Sequence, residues 1–456
     1  MFEEPEAWYE VTPPEPRTSS VFYKVLVIFL ILGLMGSALA GVVWLVERRN
    51  TASGGRAQLE HSVNRIVFVN LNGQLETVAP DGGDGRLLTS DTLSYQFPAW
   101  SPDGKFVAAI GIDALGGGIF LLEDQVGTEA KRVYFSHQSA PIYLYWAPDS
   151  RQVSFIASHA QSVLGLFLVG VTGEEESRLL TTGTPFYWNW SAASDEILIH
   201  SGFSGEGARL ALINAEGSGA GQDIAPPGFF QAPGISADGR YLAYATVDES
   251  GINWLVVTDR ETGQEQRQRH VGLAALGWSP ADSVVAFTSA GREALDFIGP
   301  LRLMDAVTGD IRLLSQEEVL AFFWSPDGRY LATITSSGRG NDIVAQRLAD
   351  PGSGRALHVG KRAQQQAEES FQLNVIDVRD GKSEQLLSFQ PSAAFINRFL
   401  PFFDQYALSH RLWSPDSDAI VLPVREENRN RIIVAPLDGS PVQLVGEGTM
   451  AFWSQN

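Results

Sequence analysis

From residue 64 onwards, apolar runs of strand length alternate with short clusters of Gly, Pro, Asp and Asn. Runs of β-branched, aromatic and aliphatic residues bounded by such turn formers predict antiparallel strands. One phrase marks each period of the pattern. It reads PAWSPDGKFVAAI at 98–110, LYWAPDSRQVSFI at 144–156, WNWSAASDEILIH at 188–200 and APGISADGRYLAY at 232–244. It returns as LGWSPADSVVAFT at 276–288, FFWSPDGRYLATI at 322–334 and RLWSPDSDAIVLP at 411–423, then as a truncated FWSQN. Each phrase is an aromatic strand, a tight turn and a β-branched strand. A further strand (GLFLVGV, NWLVVTD, RIIVAPL) and a short RLL-type strand complete the period.

The copies align on Ser101, Ala147, Ser191, Ser236, Ser279, Ser325, Ser414 and Ser454. Their spacing is about 40 to 46 residues, with one step of about 89 between Ser325 and Ser414. A period of this size predicts four-stranded units that bury their faces only against their neighbours. Proline presets φ in the turn, Asp caps local N–H groups and Gly takes the positive φ. The tryptophan before the turn is expected to wedge between adjacent units, with an N–H that needs a partner. The stretch 64–90 lacks an opening strand of its own, and TMAFWSQN is an opening strand with nothing after it. Together they complete one unit and hide two sheet edges. The expected fold class is all-β: an eight-bladed β-propeller of four-stranded blades, closed by N- and C-terminal strands and preceded by one transmembrane helix.

That helix is read from residues 25–46, VLVIFLILGLMGSALAGVVWLV, an uncharged run of the length a bilayer span requires. Lys24 and the Glu47-Arg48-Arg49 cluster bracket it, and Tyr23 and Trp44 sit where interfacial aromatics are usual. Ala38-Leu39-Ala40 has the form of a signal cleavage site, but the apolar run continues past it and the leading tail is long and acidic. The reading is an uncleaved single span at 21–47, after a disordered acidic tail at 1–20 and before a linker at 48–63. Arginines after the span favour a cytoplasmic domain, although that rule is weak for long domains.

Composition narrows the partners. With 44% hydrophobic and 19% charged residues the chain holds a sizeable core, and its net charge of −20 argues against nucleic acid. It has no cysteine, which excludes disulfides, thiolate metal sites and cysteine nucleophiles. No G-x-S-x-G elbow and no HExxH spacing occurs, so no catalytic residue, metal ligand or cofactor site is assigned. His159 and His200 end analogous strands and are read as polar strand ends.

The repeated W-S-P-D-G phrase with its RLL or QLL tails resembles the TolB-like (WD40-like) β-propeller repeat family over residues 64–456. The resemblance implies fold more than function, since such propellers serve as scaffolds, peptidase gates and ligand-binding modules. Its members are mostly exported, which together with the lack of cysteine places the propeller outside the cytoplasm of a bacterial-type cell.

The long step holds two insertions. Residues 336–370 carry a basic island with Arg355, Lys361 and Arg362, and residues 391–409 carry Phe395, Phe399, Phe402, Phe403 and Tyr406. These aromatics are either a lid packed on blade seven or eight or an exposed patch for a protein partner. Tyr145, Asn189 and Arg411 are expected to line the axial channel. The function expected is a membrane-anchored, non-catalytic scaffold for an unidentified protein partner. The alternative is a small-ligand sensor or enzyme that uses the channel.

Overall fold

The computed structural model describes residues 63–160, 163–202, 207–217, 221–229, 231–291, 297–336 and 370–456. The apolar run at 25–46, the tail before it and nearly all of the linker lie outside them. So do Arg355, Lys361 and Arg362. Among the described residues no helix is long and apolar enough to cross a membrane.

The unit Val63–Asn456 is all-β and built from antiparallel sheets. In the first sheet, strands Ile66–Asn70, Leu75–Val78 and Arg86–Leu87 are joined by Gly448–Trp453, the strand from the far end of the chain. Ile66 pairs with Trp453 and Val69 with Met450, so the two ends interlock as the sequence predicts. Four sheets then follow in chain order. Their opening strands are Ser94–Trp100, Pro141–Trp146, Phe186–Trp190 and Gly234–Ile235. The sixth and seventh units share the strand Ile311–Trp324. It closes one unit with Ile311–Ser315 and opens the next with Val319–Trp324, making a seven-stranded sheet. The eighth consists of Ala419–Glu426, Arg429–Pro436 and Gln443–Gly446, with Trp413 bridging to Ile420. Among the described residues no sheet closes on itself as a barrel, and apart from the shared strand most units meet through side chains.

The repeated phrase explains how they meet. Ser101, Ser236 and Ser325 each hydrogen-bond the Asp two residues on, and each Oγ accepts the N–H five residues on. This fixes the turn that ends the opening strand. The tryptophan wedges across to the preceding unit: Trp146 Nε1 donates to the Ala99 carbonyl, Trp324 to Gly277 and Trp413 to Phe323, all within 3.0 Å. Where the turn carries Ser in place of Gly, a second link appears. Ser150, Ser194 and Ser417 hold φ of 61°, 64° and 61°, a region that strains a residue with a Cβ. Each accepts a backbone N–H from the unit before it, from Asp103, Asp149 and Asp327 respectively. An ion-pair cluster adds to the joint between the first two units. Arg65 and Arg86 both reach Asp124, at 2.8 and 2.6 Å.

Candidate functional site: the plugged hub

The insertion at 391–409 departs from the sequence expectation in where it sits. It forms short helical turns, Phe395–Phe399, Leu400–Phe402 and Phe403–Tyr406, and these fill the space where the opening strands converge. Phe399 meets Phe452 of the first unit and Phe323 of the seventh. Tyr406 stacks on Phe97 of the second at 5.0 Å and meets Tyr143 of the third edge-on at 4.7 Å. Phe403 packs on Phe322 of the seventh. Phe395, Phe399 and Phe403 are at most 1% exposed, Tyr406 is buried and Phe402 is half-buried. The segment is therefore the packed lid of the two alternatives. Its seat is the hub shared by the units and not blade seven or eight alone, because only there can this many rings leave water at once.

The plug also supplies polar partners. The inner edge of an opening strand presents backbone groups that no neighbouring strand pairs. Gln405 serves as that neighbour for the fourth unit: its Oε1 accepts from Trp188 N at 2.8 Å and its Nε2 donates to Trp188 O at 2.9 Å. Asp404 Oδ2 accepts from Ala232 N at 2.9 Å, just ahead of the fifth unit's opening strand. His410 Nε2 reaches the Phe97 carbonyl at 3.3 Å, which leaves Nδ1 to accept from Ser409 Oγ at 2.6 Å. Ser409 Oγ is in turn 2.5 Å from the Tyr143 hydroxyl. Burial pushes the Asp404 carboxyl up to about 6 and the His410 imidazole down to about 3. The histidine is therefore neutral at physiological pH.

One side of the hub is left unfilled. A cavity of about 240 Å³ is lined by Asn189, Ile235, Trp278, Phe403, Asp404 and Arg411, among others. It lies beside the fifth copy of the phrase, which reads APGIS. Ile235 stands where its counterparts have tryptophan, and this opening strand is only Gly234–Ile235. Trp278, the next wedge, packs so close to Gly234 that an added Cβ would lie 2.6 Å from its Cδ1. Of the three residues expected along the channel, Asn189 and Arg411 line this cavity. Tyr145 stands behind them, its hydroxyl 3.4 Å from Asn189 Nδ2, while Asn189 Oδ1 accepts from Ile235 N at 2.8 Å. Burial lowers the Arg411 guanidinium to about 10. Asp404, Gln405, Ser409 and His410 were not singled out as site residues from the sequence. Their signal was a polar pair, Asp404-Gln405, inside an otherwise aromatic run.

His200 is fully buried with Nδ1 on the Gln231 carbonyl, whereas His159 is exposed beside Phe167. Among the described residues no group of three or more His, Cys, Asp or Glu side chains is placed to hold a metal ion.

No family model and no curated protein matches the chain. Among solved structures it is similar to TolB from Acinetobacter baumannii, with 20% identity over 55% of this chain and a TM-score of 0.35. That match spans 65% of the TolB chain. It is also similar to oligogalacturonate lyase from Vibrio parahaemolyticus (12% identity, 84% of this chain and 86% of that one, TM-score 0.44). A third is the dihydro-heme d1 dehydrogenase NirN (12% identity, 86% of this chain and 75% of that one, TM-score 0.49). These proteins differ in function, and none of the scores reaches 0.5. The architecture stands on the strand pairing described above.

Proposed function

We infer that the chain is a membrane-anchored, non-catalytic binding platform. In this reading residues 25–46 are the anchor, and the domain beyond them is a closed eight-bladed propeller that faces outward and holds a protein partner. The observation that carries the reading is the plug. Aromatic rings and a hydrogen-bonded Gln405 fill most of the hub, where a propeller enzyme or gate would keep an open path. That investment rigidifies the ring and leaves its faces and the 336–370 insertion, with Arg355, Lys361 and Arg362, to meet an acidic partner. Crosslinking in intact membranes tests it. The full-length chain should capture a protein that a chain lacking residues 337–369 does not, and protease added to spheroplasts should digest the propeller. Turnover of a substrate by the purified protein, or protection of the domain until the membrane is lysed, overturns the respective part.

A second reading, a sensor that takes a small ligand at the axis, is favoured by one observation. Polar side chains converge on the hub cavity.

A further inference from the structure

We propose that the hub cavity binds a small organic carboxylate, its charged end on Arg411 and its apolar body against the aromatic wall formed by Trp278, Phe322 and Trp324. The inference rests on the second of the two readings above and names its ligand.

Arg411 is the starting point. A guanidinium carries five N–H donors in a planar fork suited to a carboxylate. Here Arg411 takes part in none of the ion pairs among the described residues, although the chain is strongly acidic. Among the described residues its guanidinium makes one hydrogen bond, from Nη1 to the Gln455 carbonyl at 2.6 Å. Other arginines of the repeats do have acids: Arg240 meets Asp259 and Arg329 meets Asp377. In those pairs the arginines are 41% exposed and the acids 11% and 19% exposed. Arg411 is the more desolvated arginine, and it lines a cavity in which no acid is paired with it. A desolvated cation favours a bound anion for the same reason that burial depresses its proton affinity.

The acid that shares the cavity does not fill this role. Asp404 accepts hydrogen bonds from Ala232 N and Gln405 N, and it makes no ion pair with Arg411. The remaining lining is largely aromatic and aliphatic, and it runs out to the exposed Pro280. An apolar cavity of roughly 150 Å³ holds benzene. About 240 Å³ therefore accommodates a ring or short chain with a carboxylate attached. Ala407, an exposed residue of the plug, also lines the space.

The test uses the folded 63–456 unit in its full-length chain, solubilised in detergent. Butyrate, benzoate and phenylacetate are titrated by calorimetry and thermal shift, each beside its neutral amide. Expected is saturable binding of at least one acid, at least tenfold tighter than its amide. Arg411→Lys should retain part of the binding and Arg411→Met should abolish it. Because Arg411 also holds Gln455, Ala407→Trp serves as a variant that leaves the arginine in place, and it should abolish binding by filling the space. Equal binding of acid and amide overturns the carboxylate while leaving a ligand cavity. No binding of either by a folded wild-type protein overturns the cavity reading as well. Binding that survives Ala407→Trp places the ligand elsewhere and overturns the site.

Discussion

The two sides of the hub are made from the same repeat and end in different states. Toward the second, third and fourth units, Phe97, Tyr143 and Trp188 close on Tyr406, Gln405 and His410, and the polar atoms named there have partners. Toward the fifth and sixth units, Ile235 and Trp278 border open space, and the Trp278 N–H bonds to nothing among the described residues. The irregular copy of the phrase, in which Pro-Gly-Ile replaces an aromatic strand ending in tryptophan, borders the unfilled side. Regular copies build the ring, and the irregular copy lies beside the room left in it.

The contrast is broken most severely at Gln405. Replacing it with Ala strips both the N–H and the C=O of Trp188 of their partners in a buried setting. Each orphaned group costs roughly 1–3 kcal/mol, so Gln405→Ala should lose about 3–5 kcal/mol in urea unfolding. A loss under about 1 kcal/mol would show that the filled side is filled only by shape.

Acid sharpens the comparison next. The His410 folded pKa of about 3 lies below its ordinary value of 6.5, so its stabilising contribution is full above pH 6.5 and is lost as pH falls toward 3. Asp404 works in the opposite sense. Its folded pKa of about 6 exceeds 3.8, so it favours the folded state below 3.8 and that advantage is lost as pH rises through 6. His410→Gln should remove on the order of 3 kcal/mol of the pH-dependent change between 6.5 and 4, read from unfolding free energies across that range. Parallel pH curves for variant and parent would refute the assignment of a neutral, buried His410.

The smallest effect separates two tryptophans. Trp146→Phe leaves the buried Ala99 carbonyl without its donor, whereas Trp278→Phe removes a donor that has no acceptor. The first should cost about 1–2 kcal/mol more than the second in matched melts. Equal costs would mean the wedge works by volume alone.

Most of the ring was legible because a repeat states its strand order many times over. The WSPDG turns, the tryptophan wedges and the pairing of 66–70 with 448–453 follow from residues that recur. The hub was not legible in the same way. Phe395 and Phe399 announced an aromatic segment, but their partners Phe452 and Phe323 lie in other units, and no periodicity says which units an insertion will touch. Gln405 is a single polar residue whose value depends on the backbone of Trp188. Ser150 and Ser194 stand where other copies carry glycine, and their hydroxyls are cross-unit acceptors. The APGIS copy borders the cavity, but nothing in the sequence alone places it beside Trp278 and Arg411.

The interlocked first unit sets a timetable for the chain. Ile66–Asn70 is made well before its partner Gly448–Trp453. At about 5–20 residues per second the intervening chain takes on the order of 20–80 seconds to synthesise. A hairpin forms in microseconds, so the early strands are structured long before their edge is covered. For that interval the strand IVFVN offers an unpaired, apolar edge to whatever passes. The risk of misassembly in this protein is thus concentrated in time, and it is set by the ribosome and not by the strength of any contact in the finished ring.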